Sequence, residues 1–175
     1  MGSFVELNLA FTFAPETPEY VLGAFRDWTT GEEAPELSSI FDSSLADDGF
    51  DADMYLGNYA GDDADLMGPL SLIQRAAMWR YLMNWGSNAY FSGTPSTALR
   101  WDRYGERWSL TTRTLPKEWG QRVQEIVAPL GELAIDGTPH RPRFVGYIID
   151  ESSPRPVLIW STSREPFRFE GEFAD

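Results

Sequence analysis

Eight aspartates fall between Asp42 and Asp65, and carboxylates this close could bind a hard cation or share a proton. An EF-hand loop needs acids at positions 1, 3, 5 and 12, with glycine at position 6. Counting from Asp51 places Asp53 and Asp62 correctly but puts Leu56 where glycine is required. Counting from Asp63 places Asp65 and Gly68, but Met67 and Gln74 occupy acid positions. Neither register qualifies, so no metal site is expected. Paired carboxylates could also cleave a glycosidic bond, but nothing in the spacing selects two acids from so many.

Other chemistries are limited by scarcity. The chain has no Cys, one His (His140) and one Lys (Lys117). This excludes disulfides, thiolate zinc sites, cysteine nucleophiles and multi-histidine metal sites within one chain. His140 lies in Thr138-Pro139-His140-Arg141-Pro142, which reads as an exposed linker, and no G-x-S-x-G elbow accompanies it. Neither a P-loop nor a G-x-G-x-x-G phosphate cradle occurs. Catalytic residues and cofactors are therefore not expected. Arg100, Arg103 and Arg107 alternate with Trp101, Tyr104 and Trp108 in a way that could stack on nucleic acid. Strand alternation, however, turns both tryptophans inward and leaves Tyr104 alone beside the arginines.

Charge is the sharpest signal. The 175 residues carry a net −13. Residues 27–74 hold twelve acids and no Lys or Arg, whereas the rest has fifteen acids and fourteen bases. A salt-adapted protein would acidify its whole surface rather than one stretch. A solvated loop that keeps the protein soluble is the plainest account of such a run. The segment also contains aromatic residues, among them Phe50, Tyr55 and Tyr59. Asp47, Asp48, Asp51, Asp53, Asp62, Asp63 and Asp65 could form an acidic rim around these anchors, which would suit a basic protein partner. Direct binding of nucleic acid or an anionic membrane is not expected of such a chain.

The surrounding elements follow from periodicity. Val5, Leu7, Leu9, Phe11 and Phe13 alternate with Glu6, Asn8 and Thr12, which predicts a half-buried strand. Thr17-Pro18-Glu19 predicts a helix start with Thr17 as N-cap. Leu72, Ala76, Trp79 and Met83 lie on one face of a helix over about 70–84. Leu99 to Thr112 predicts a hairpin about a type II′ turn at Gly105-Glu106, pairing Trp101 with Leu110 and Arg103 with Trp108. A third helix begins at Pro116, with Val123, Ile126, Val127 and Leu130 inward, and ends at Pro129 and Gly131. Strands follow over 143–150 and 156–162, the second apolar enough to be covered on both faces. Residues 163–175 could supply an edge strand.

Ser87-Asn88-Ala89-Tyr90-Phe91-Ser92-Gly93, Trp108-Ser109-Leu110, Ile126-Val127-Ala128-Pro129-Leu130, Gly146-Tyr147 and Pro156-Val157-Leu158-Ile159 give the chain a family likeness. Together with Thr17-Pro18-Glu19-Tyr20-Val21-Leu22 they cover about half of it. In these motifs the chain resembles a family of small, uncharacterised α+β proteins from high-GC bacteria. The resemblance implies the fold and brings no activity with it.

The expected architecture is a single α+β domain over 1–175: a two-layer antiparallel sheet with helices on one face. A ferredoxin-like core would carry an acidic insert, about 31–68, after the first helix. The expected function is a non-enzymatic acidic binding protein of the immunity, inhibitor or DNA-mimic kind. The alternative is an enzyme or small-ligand binder with an aromatic pocket between sheet and helices. The start, Met1-Gly2-Ser3-Phe4-Val5-Glu6, lacks a basic region and an apolar run, so a cytoplasmic location is expected.

Overall fold

The computed structural model describes residues 4–25, 71–83, 96–116 and 120–172. Strands β1 (Val5–Thr12), β2 (Ser96–Asp102), β3 (Arg107–Thr114), β4 (Arg143–Asp150), β5 (Val157–Ser161) and β6 (Arg168–Glu170) form one sheet. Helices α1 (Glu19–Gly23) and α2 (Leu72–Met83) follow β1, and α3 (Gly120–Val127) follows β3. The strand order is β2-β3-β1-β4-β5-β6, and every neighbouring pair is antiparallel. The protein is therefore α+β, built on a six-stranded antiparallel sheet.

The alternation of β1 fixes which side of the sheet is dry. Val5, Leu7, Leu9, Phe11 and Phe13 are all buried and join one core cluster. Helix α2 adds Ala76, Trp79, Leu82 and Met83 to that cluster, and α3 adds Val123 and Val127. Two polar groups between the helices and the sheet are paired internally, as burial requires. Thr114 Oγ1 donates to the Leu82 carbonyl at 2.8 Å, and Trp79 Nε1 donates to the Ile126 carbonyl at 2.8 Å. The first bond ties α2 to the sheet and the second ties it to α3.

Gly146 marks the tightest point of the sheet. A Cβ placed there would lie 2.0 Å from the Asn8 carbonyl oxygen, so only glycine lets β4 approach β1 this closely. The β4–β5 register shifts between Phe144 and Gly146, and this bulge lets Phe144 face Trp160 while Gly146 faces Ile159.

Four local expectations are corrected. Trp101 pairs with Trp108 and Leu99 with Leu110, two places from the expected register. The strands are joined by four residues, 103–106, with Glu106 at φ 49, and Gly105 lacks the positive φ of a II′ turn. Asp102 Oδ1 accepts the Tyr104 N–H at 3.0 Å and stabilises this wider turn. The side-chain period of a strand is two, so both registers put the same residues on the same faces.

Thr17 does not cap α1. Pro18 occupies the N-cap position at φ −57 and ψ 139, no described side chain caps the helix, and Thr17 Oγ1 is buried without a partner among the described residues. The third α-helix ends at Val127, and neither Pro129 nor Gly131 stops the helical course of the chain, which continues as a 3₁₀ turn through Ala128–Leu133. Proline is acceptable at the start of that turn, where its missing N–H has no partner to lose. Finally, β5 alternates between buried Val157, Ile159 and Ser161 and half-buried Leu158 and Trp160, so described residues cover only one of its faces.

Candidate functional site

The acidic rim and its anchors, Asp47, Asp48, Asp51, Asp53, Asp62, Asp63, Asp65, Phe50, Tyr55 and Tyr59, lie outside the described residues. His140 is exposed, in a turn closed by reciprocal 3.0 Å bonds between Thr138 and Arg141. Arg100, Arg103 and Arg107 are exposed at the β2–β3 end. Trp108 is buried and Trp101 packs on the core, their rings 5.2 Å apart. Tyr104, 90% exposed, remains beside the arginines, with the Arg103 guanidinium 5.4 Å from its ring centre. Among the described residues no group of three His, Asp or Glu side chains could hold a metal ion.

The described structure instead draws attention to the side of the sheet opposite the core. The register lays one line of residues across all six strands there: Ser96, Arg113, Asn8, Tyr147, Leu158 and Glu170. At its centre Glu6 is nearly buried, at 7% exposure. Arg113 Nη2 donates to Glu6 Oε2 at 2.6 Å, and the Tyr147 hydroxyl donates to Oε1 at 2.7 Å. Each oxygen of this carboxylate thus receives a donor, as a nearly buried polar group requires. Burial raises the pKa of Tyr147 above the ordinary tyrosine value, and its bond to Glu6 raises it further. The phenol is thereby held as a donor and is poorly suited to act as a base at neutral pH.

Toward the β6 edge the same face becomes aromatic. Phe144, 48% exposed, meets Trp160 edge to face with ring centres 5.6 Å apart. Next to Trp160 lies a groove of about 410 Å³ lined by Pro142, Trp160, Arg168, Phe169 and Glu170. The Trp160 Nε1 atom is buried and has no hydrogen-bond partner among the described residues. Arg168 sits directly opposite Trp160 in the β5–β6 register and reaches Glu165 at 3.2 Å.

By the register Trp160, Arg168 and Glu170 share the face away from the helices, whereas Phe169 lies opposite Ile159 and packs on the core. Sequence reasoning singled out none of Glu6, Arg113, Tyr147, Phe144 or Trp160 as a site residue. Glu6 was visible only as a charge on the polar side of β1, and its partners come from strands more than 100 residues away. In the sequence Trp160 is one residue of the apolar run Val157-Leu158-Ile159-Trp160. Its pairing with Phe144 depends on the bulge in β4, which has no clear sequence mark.

The remaining short-range polar contacts tie the ends of the sheet. Asp136 accepts the Thr12 N–H at 2.5 Å and lies 3.4 Å from Arg143. Exposed Glu16 is held below the usual carboxylate range, first by a backbone hydrogen bond and then by the Arg164 side chain. The first contacts tie a loop to the ends of β1 and β4 and the second joins two loops, and none of these residues lines the groove. No family model, curated protein or solved structure matches this chain, so its candidate sites are defined by this geometry and by its charge.

Proposed function

We propose that this protein is a non-enzymatic binding protein whose acidic segment, residues 27–74, engages a basic surface of another protein. Immunity proteins that neutralise a toxin or nuclease, and phosphate mimics that occupy a DNA-binding protein, work by this logic. The observation that carries the proposal is charge segregation: −12 within 48 residues, on a remainder with fifteen acids and fourteen bases. An acidic patch of this size steers a basic partner during encounter, and Phe50, Tyr55 and Tyr59 would anchor it after contact. The first four strands form a ferredoxin-like core in this reading. The adjacent order β2-β3-β1-β4, with helices after β1 and β3, supports that topology. The part of the acidic segment over about 31–68 is then an insert between α1 and α2, and the protein acts in the cytoplasm. Among the described residues no helix is long and apolar enough to cross a membrane.

The test is association kinetics with a basic partner captured at low salt and then purified. The expected on-rate falls at least tenfold between low and high ionic strength, because steering is screened by salt. Replacing Asp47, Asp48, Asp51 and Asp53 together by Asn slows association at low salt in the same way. An on-rate indifferent to salt, or full binding by the Asn variant, overturns the proposal.

A further inference from the structure

We propose that the sheet face turned away from the helices is a dimer interface, and that its occupant is a second copy of this chain related by a two-fold axis. The centre of this face is open. Ala10 and Thr111 stand directly opposite each other on β1 and β3, in the interior of the six-stranded sheet, and both are exposed. Toward β6 the same face carries Tyr147, Leu158 and Trp160, all half-buried, and Phe144, which is 48% exposed. An antiparallel sheet often leaves one face in water, but that face is then polar. Here its β4–β5 half is not.

The register is the reason for choosing a second copy. Beside the line Ser96, Arg113, Asn8, Tyr147, Leu158 and Glu170 runs a neighbouring line of outward residues: Ala98, Thr111, Ala10, Phe144, Trp160 and Arg168. Leu9 faces Gly146 and Gly146 faces Ile159, so the next outward residues, Ala10 and Trp160, fall in the same line. A two-fold axis that crosses the strands between the two lines lays each line over the other line of the second copy. Tyr147 then meets Phe144, Leu158 meets Trp160, and Asn8 meets Ala10. At the β6 edge Arg168 meets Glu170, and the symmetry forms this pair twice. Large side chains meet large ones, polar residues meet small ones, and charges at the rim meet their opposites. Such self-complementarity is what a two-fold interface requires and what a foreign partner does not.

The dimensions agree with a dissociable dimer. Six strands about 4.8 Å apart and about 20 Å long offer on the order of 500 Å² per copy. Two copies cover about 1,000 Å² in total, the low end for a specific interface, so the dimer forms and parts with concentration. Arg168 is free to change partners, because its contact with exposed Glu165 at 3.2 Å is a weak surface pair. The net charge of −13 on each copy opposes their approach, and salt screens that repulsion. Self-association therefore strengthens with salt, whereas the contact of the acidic segment with a basic partner weakens. The interface uses none of residues 27–74, so either reading can fail without the other.

The experiment is sedimentation equilibrium of the full chain from about 5 to about 500 μM, at low and high salt. The expected result is a monomer–dimer equilibrium that stops at the dimer, because a two-fold interface closes on itself, and that shifts toward dimer in high salt. Thr111→Arg, at an exposed position, sets a guanidinium against Arg113 of the second copy and should weaken association about tenfold or more. Arg168→Glu sets Glu against Glu170 of the second copy and should weaken it about fivefold. The double exchange Arg168→Glu/Glu170→Arg should restore association, which a general effect of altered charge would not do. A chain that stays monomeric throughout, or association that continues past the dimer, overturns the proposal. So does undiminished association of Thr111→Arg, or a double exchange no stronger than Arg168→Glu.

Discussion

Glu6 and Arg113 meet diagonally across β1 and β3, with Nη2 2.6 Å from Oε2, although the residue directly opposite Arg113 is Asn8. The diagonal places an ion pair on the polar side of the sheet with side-chain exposures of only 20% and 10%. Tyr147, reaching in from β4, completes the set, so three adjacent strands share one carboxylate. Such an arrangement holds the strands in register, because a slip of one residue would send Glu6 to the core.

Removing one partner from this set leaves the other charge without compensation. Arg113→Met should destabilise the protein by about 3 kcal/mol, at the lower end for a broken buried pair because the site is partly open to water. Glu6→Gln should cost less, about 1 kcal/mol, since an amide can still accept from Tyr147. Urea unfolding of both variants checks the order, and a larger loss in Glu6→Gln would contradict it.

Tyr147 gives the protein a pH dependence on the alkaline side. Its pKa is raised in the folded state, so the unfolded chain loses the phenolic proton first. The stability this contributes is complete below the ordinary tyrosine value of about 10 and is lost as pH rises through the higher folded value. Alkaline unfolding curves should therefore fall less steeply for Tyr147→Phe than for the wild type. Parallel curves would remove Tyr147 as the cause.

Gly146→Ala should be among the costliest single-methyl additions in the sheet. The added Cβ would lie 2.0 Å from the Asn8 oxygen and 2.9 Å from the Leu9 Cα, both backbone atoms that cannot rotate away. Separating β4 from β1 should cost about 3 kcal/mol or more, by the rule for overpacked sites. A variant that unfolds at the wild-type denaturant midpoint would show that the strands can part cheaply.

Thr17→Val separates two readings of the start of α1. If Thr17 capped the helix, losing its hydroxyl would cost about 1 kcal/mol. The hydroxyl is buried with no partner among the described residues, so valine should be neutral or stabilising in thermal unfolding. A clear loss of stability would restore the capping role.

How much could be read in advance depended on whether neighbours in sequence were also neighbours in space. Alternation in Val5 to Phe13 correctly identified β1 and its buried side, and spacing identified Ala76, Trp79 and Met83 of α2 but missed buried Met78 and Leu82, while Leu72 is only half-buried. Inward and outward faces of the β2–β3 hairpin were also legible. Its register was not, because a shift of two residues preserves both faces. Pairing Ser109 with Thr12 and bonding the Phe13 N–H to the Trp108 carbonyl anchor β3 on β1, contacts far outside the hairpin.

Amino-acid order alone settles that this chain has an acidic segment on a nearly neutral remainder, and that β1 has one apolar and one polar side. Both are properties of composition and local periodicity, which need no partner from elsewhere in the chain. The meeting of Glu6, Arg113 and Tyr147, and the groove beside Trp160, were decided by tertiary structure alone. Those groups lie on different strands, and the pairing of distant strands sets their distances through a register that local sequence does not encode.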